Sequence, residues 1–152
     1  MEIKLWINNK LFQDNVEADM LLIDYVRSKG FFSVKRGCEP ANCGLCTVHL
    51  EGQHVLSCST LVMKANGKKV TTLEGLREEA EEFGAFMADQ GAEQCGFCSP
   101  GFVMNVLAMK NELVNPTEDE IKHYLAGNLC RCTGYMSQLR AIKNFLEAKK
   151  ED

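Results

Sequence analysis

Eight cysteines divided into two separated groups constrain this chain more tightly than any hydropathy pattern in it. Cys38, Cys43, Cys46 and Cys58 are spaced C-x4-C-x2-C-x11-C, and Cys95, Cys98, Cys130 and Cys132 are spaced C-x2-C-x31-C-x-C. Whether such thiols bridge each other or bind metal depends on the compartment. Met1 to Trp6 shows no basic segment leading into an apolar one, and the longest apolar stretches, near Phe102 to Met109, are too short to span a bilayer. A cytoplasmic chain with no membrane insertion is expected, and there thiols stay reduced and read as metal ligands. The net charge of -4, with both signs interspersed, leaves no footprint for nucleic acid.

The first half of the chain carries strand signals. Ile3, Leu5 and Ile7 alternate with polar neighbours, Asn8-Asn9 predicts a hairpin turn, and a second strand follows over 10–16. Asp19 is placed to cap a helix from Met20 to Lys29 that exits through Gly30. Short strands are expected at Thr47–Leu50, Gln53–Ser57 and Lys68–Thr72, the first two joined at Glu51-Gly52. After Gly75 the period changes to that of helices. These run over 76–90, from Ser99-Pro100 to the break at Asn115-Pro116, from the Thr117/Glu120 capping box to Gly127, and over 136–149. The resulting fold class is α+β. Residues 1–75 form a compact sheet with a helix across it, and residues 76–152 a four-helix domain.

In the first group, three cysteines within one Gly- and Pro-containing loop have the spacing of a plant-type ferredoxin loop, which favours a [2Fe-2S] cluster over zinc. Small residues such as Gly37 and Gly44 let such a loop aim its backbone N–H groups at sulfur. In the second group, Ser99 as N-cap and Pro100 at the first helical position put a helix N-terminus beside Cys95 and Cys98, where thiolate is stabilised. Cys130 and Cys132 occupy the equivalent loop of the next helix pair, so side-by-side packing would bring four thiolates together. Spacing alone leaves zinc and iron-sulfur both open at this site.

The residues around the second group decide it. Gln94-Cys95-Gly96-Phe97-Cys98-Ser99-Pro100-Gly101 and Gly127-Asn128-Leu129-Cys130-Arg131-Cys132-Thr133-Gly134-Tyr135 closely resemble the paired signatures of the iron-sulfur subunit of the molybdenum hydroxylases, the xanthine dehydrogenase and aldehyde oxidoreductase family. The resemblance extends over the whole chain. It implies an N-terminal β-grasp, ferredoxin-like domain whose cluster is held by Cys38, Cys43, Cys46 and Cys58, followed by an all-α domain whose cluster is held by Cys95, Cys98, Cys130 and Cys132. It further implies an electron-transfer subunit of an oxidoreductase, carrying electrons from a molybdopterin-binding large subunit through the two clusters to FAD in a medium subunit, where one is present, or to another acceptor. Gln94 would hydrogen-bond the pterin, and Cys132 would be the ligand nearest to it. A purine such as xanthine is the expected substrate class; aldehyde, nicotinate and carbon monoxide dehydrogenases are the alternatives within the family. A zinc-stabilised interaction module and a free-standing ferredoxin are the alternatives outside it.

The first cluster loop departs from the family pattern. Glu39 and Ala41 stand where the family commonly has glycine, with Pro40 between them, and this predicts altered hydrogen bonding to sulfur and a shifted potential. His49 and His54 read as surface or cross-strand residues because both cysteine groups are already complete, and His123 reads as solvated. The methionines of 102–109 read as core, and Glu78, Glu79, Glu81 and Glu82 as a solvated helix face. No residue grouping suggests a substrate-transforming centre in this chain.

Overall fold

The computed structural model describes residues 1–150. Strands β1 (Glu2–Ile7) and β2 (Lys10–Asn15) form an antiparallel hairpin. Its two-residue turn has Asn8 at φ 49° and Asn9 at φ 66°, the left-handed pair that a type I′ turn requires and asparagine tolerates. Ile3, Leu5 and Ile7 are buried. Helix α1 (Leu22–Ser28) then lies on the sheet through Leu22, Ile23, Tyr25 and Val26.

Asp19 does not cap α1. Leu21 occupies the cap position and offers no side-chain hydrogen bond. The Leu22 N–H instead donates to the Thr60 carbonyl at 2.7 Å, and the Val62 N–H donates to Met20 O at 2.9 Å. A distant backbone segment therefore supplies the partner expected from the aspartate. Gly30, at φ 90°, ends the helix region as expected.

Strands β3 (Thr47–Leu50) and β4 (Gln53–Leu56) form a second hairpin, turned at Glu51 and Gly52. Strand β5 (Lys69–Thr71) is inserted between the hairpins, giving the order β2-β1-β5-β3-β4. It runs parallel to β1 and antiparallel to β3. A mixed five-stranded sheet gripping one helix is a β-grasp arrangement.

Helices α2 (Arg77–Asp89), α3 (Ser99–Glu112), α4 (Glu118–Tyr124) and α5 (Met136–Ala148) enclose a second apolar core. Phe83, Phe102 and Phe145 cluster there, with ring centroids of Phe83 and Phe145 5.1 Å apart. Every residue from Gly101 to Met109 is buried, so α3 has no solvent face over that stretch. A helix apolar all round must be covered all round. Here α2 and α5 belong to the core on one side, while β3 and β4 contact α3 on the other. The Thr117/Glu120 capping box forms on α4 as the sequence predicts. That helix stops at Tyr124 rather than at Gly127, because the Leu125 and Ala126 N–H groups close its last turn onto Ile121 and His123 carbonyls. Among the described residues, no helix is long and apolar enough to cross a membrane.

Candidate metal centres

The loop between α1 and β3 carries Cys38, Cys43 and Cys46, and the short 3-10 turn after β4 brings up Cys58. The loop winds through left-handed positions at Ala41 (φ 58°) and Gly44 (φ 76°), which turn its amides inward. The Cys38 sulfur is hydrogen-bonded by the Cys43 thiol and by the N–H groups of Asn42, Cys43 and Ala41, and these hold its pKa below the usual thiol value against some opposition from burial. Burial, reinforced by the neighbouring Cys38, raises Cys43. Burial also pushes Cys46 up to about 11, with Cys58 as its hydrogen-bonding neighbour.

The second group assembles from two helix-preceding loops. Cys95 and Cys98 lead into α3, and Cys130 and Cys132 into α5. The Cys132 and Cys95 sulfurs are 3.5 Å apart, in contact but far beyond the roughly 2.05 Å of a disulfide. Both residues are exposed, whereas Cys98 and Cys130 lie deeper. Burial, followed by the adjacent Cys130, pushes Cys98 up to about 11. Burial works against ionisation of Cys130 as well, but hydrogen bonds from the Thr133 hydroxyl and from backbone amides outweigh it and lower the thiol. The Phe97 N–H and then the Cys132 thiol lower Cys95, and Cys132 rises correspondingly.

Ser99 is not the cap of α3. Cys98 holds that position, Ser99 is already helical, and its hydroxyl donates to Glu93 Oε1 at 2.9 Å. A potential ligand thus sits directly at the helix N-terminus. Gln94 and Cys132 are both exposed at this end of the molecule.

All eight cysteines are free thiols, associated as the neighbours Cys38/Cys43, Cys46/Cys58, Cys95/Cys132 and Cys98/Cys130. Among the described residues, no three His, Cys, Asp or Glu side chains gather tightly enough to hold a single ion. Thiol pairs arranged two by two suit a binuclear centre, in which each metal takes two thiolates. In three of the pairs one thiol is lowered beside a raised neighbour: burial does most of the raising at Cys43 and Cys98, and the hydrogen bond to Cys95 does it at Cys132.

The two groups lie close together. Cys38, Cys43, Cys95, Cys98, Cys130 and Cys132 line one crevice of about 520 Å³. The Leu129 N–H donates to the Cys43 carbonyl at 2.9 Å, joining the residue before Cys130 to a cysteine of the other group. Beneath this bond the backbones touch. A Cβ on Gly101 would run into the Gly44 carbonyl, and one on Gly44 into Asn128 and Gly127. Buried Asn128 donates weakly to Gly101 O at 3.5 Å and accepts from Asn105. Lys35 Nζ reaches the Phe97 carbonyl at 3.2 Å and lies 4.8 Å from the Phe97 ring centroid.

His49 is buried as well as cross-strand to His54, and its Nε2 bonds Met104 O at 2.7 Å, tying β3 to α3. His54 meets the Tyr124 hydroxyl at 2.9 Å, which itself donates to Glu112 at 2.8 Å. His123 is exposed and the methionines Met104 and Met109 are core, as expected. Sequence reasoning missed Asn105, Asn128, Thr133 and Gln138. For Gln138 a signal existed: with Ile142 and Phe145 it follows helical spacing along the apolar stripe of α5.

Comparison with known proteins agrees with this architecture. Residues 7–76 match the family model described as a 2Fe-2S iron-sulfur cluster binding domain, and residues 72–143 the one described as a [2Fe-2S] binding domain. The xanthine dehydrogenase iron-sulfur-binding subunit of Escherichia coli O157:H7 is 41% identical over 92% of this chain and 91% of its own length. The nicotinate dehydrogenase small FeS subunit of Eubacterium barkeri is 35% identical over 95% and 94%. In the structure of quinoline 2-oxidoreductase from Pseudomonas putida 86, one chain superposes with a TM-score of 0.88 at 35% identity, covering 99% of this chain and 96% of that one. With two iron-sulfur domain models in tandem and near full-length relatives of this kind, the chain belongs to the family of small iron-sulfur subunits of the molybdenum hydroxylases.

Proposed function

We propose that Cys38, Cys43, Cys46 and Cys58 hold one [2Fe-2S] cluster, that Cys95, Cys98, Cys130 and Cys132 hold the other, and that the chain joins a molybdopterin subunit to an FAD subunit electronically. When bound, each cluster supplies a one-electron centre; the protein holds it, insulates it and tunes it. The domains divide at 75/76. The observation that carries this reading is the backbone hydrogen bond from Leu129 N–H to the Cys43 carbonyl, which leaves the two ligand loops in direct contact. Exposed Cys132 and Gln94 mark the face that meets the pterin, with Gln94 as an amide partner for it. Cys43 and Cys46, by contrast, are shielded from water.

The substrate belongs to the large subunit. A purine such as xanthine is favoured because the 41% identical relative is named for xanthine dehydrogenase. The complex is assigned to the cytoplasm, the reducing setting in which eight free thiols would persist until metallated. Purification of the native complex tests the whole reading. The chain should co-elute with a molybdenum-containing and a flavin-containing subunit, and xanthine should bleach the visible iron-sulfur absorption anaerobically. Elution of the chain alone would contradict the assignment, and bleaching by nicotinate or an aldehyde but not by xanthine would move the substrate.

A further inference from the structure

Along α5, the inward residues Leu139, Ala141, Ile142 and Phe145 are apolar, and Gln138 joins them at 2% exposure. A buried amide costs free energy unless hydrogen-bonded, so its partners matter. Gln138 Oε1 lies 3.2 Å from the Thr133 hydroxyl, and Nε2 points at Cys98 Sγ from 4.0 Å. The same Thr133 hydroxyl lies 3.2 Å from Cys130 Sγ and accepts the Tyr135 N–H at 3.2 Å. Thr133 has one hydroxyl proton for two acceptors: it satisfies Gln138 Oε1 while the Cys130 sulfur is neutral, and negative charge on that sulfur, the stronger acceptor, draws it across. Tyr135 in turn accepts the Cys130 N–H on its hydroxyl at 3.0 Å, closing 130–135 into a ring that keeps Thr133 in place. Two side-chain donors therefore converge on the deeper pair, Cys98 and Cys130.

We infer that Gln138 and Thr133 are positioning residues that raise the reduction potential of the helical-domain cluster by donating hydrogen bonds to the sulfurs of Cys98 and Cys130. The inference rests on the ligand assignment proposed above. Reduction adds one electron to the cluster and increases the negative charge on its sulfurs, so donors aimed at them favour the reduced form. Core filling alone would call for another leucine at 138, whereas an amide reaching toward sulfur acts on the electron's energy.

A redox titration of the assembled complex, with each cluster followed by EPR, tests this. Gln138→Leu and Thr133→Val should each disfavour reduction of the helical-domain cluster about tenfold, a fall of about 59 mV for one electron. The ferredoxin-like cluster should stay put as an internal reference, and Thr133→Ser should restore the wild-type potential. Two full-intensity signals at unchanged potentials, or equal shifts in both, would overturn the inference. Should Gln138→Leu prevent cluster assembly, Thr133→Val decides in the same way. A wild-type complex showing only one binuclear cluster would instead overturn the ligand assignment itself.

Discussion

Ala41 shows how one residue carries the cost of a metal loop. Its φ of 58° is the conformation glycine takes freely, and the sequence flagged the position because the family commonly has glycine there. A non-glycine residue in this region is strained by roughly 1–2 kcal/mol. Ala41→Gly should raise the stability of the cluster-loaded chain by about 1 kcal/mol, read from urea unfolding, because relief of strain exceeds the entropy that glycine adds to the unfolded state. The same loop directs the Ala41 N–H at the Cys38 sulfur. Restoring glycine at both 39 and 41 should therefore move the ferredoxin-like cluster's midpoint potential; an unchanged potential would show that Glu39 and Ala41 are neutral in this respect.

Between elements, the contact of β3 with α3 holds the two ligand loops in register. Gly101 lets α3 pack its backbone on Gly44 and Leu45. Gly101→Ala forces that junction apart and should destabilise the chain by about 1–3 kcal/mol, with the sheet unfolding before the helices in hydrogen exchange. His49 adds a pH dependence to the same junction. Burial lowers its pKa, only partly offset by the hydrogen bond to Met104 O, so the folded state holds it neutral. Stability should be complete above the unfolded histidine pKa of about 6.5 and should fall as pH drops below it, since only the unfolded chain takes up the proton there. Measured by urea unfolding, His49→Gln should lose less stability than wild type between pH 7 and pH 5; parallel losses would remove His49 from the account.

The elements themselves were largely legible in the sequence, because alternation at Ile3, Leu5 and Ile7, the Asn8-Asn9 turn and the Thr117/Glu120 box are local signals. What was not legible is tertiary. Asp19 lost its capping role to a backbone carbonyl 38 residues beyond Leu22, at Thr60. The contact between Leu129 and Cys43 depends on how two cores dock, for which no local pattern exists. The cysteine spacings named the chemistry of the first group; the pairing of sulfurs within both groups required the fold.

For the molecule as a whole, two apolar cores share one seam, and all four cysteine pairs are carried by the loops that gather beside it or by the turn after β4. That arrangement makes sense for a relay between partner subunits, and it depends on both groups binding binuclear clusters rather than lone ions. The most direct measurement is metal and sulfide content of the anaerobically purified chain, together with the EPR spectrum after dithionite reduction. About four irons and about four acid-labile sulfides per chain are expected, with two distinct [2Fe-2S] signals. Dominant zinc, or a single cluster with four of the eight cysteines still alkylatable in the folded protein, would contradict this expectation.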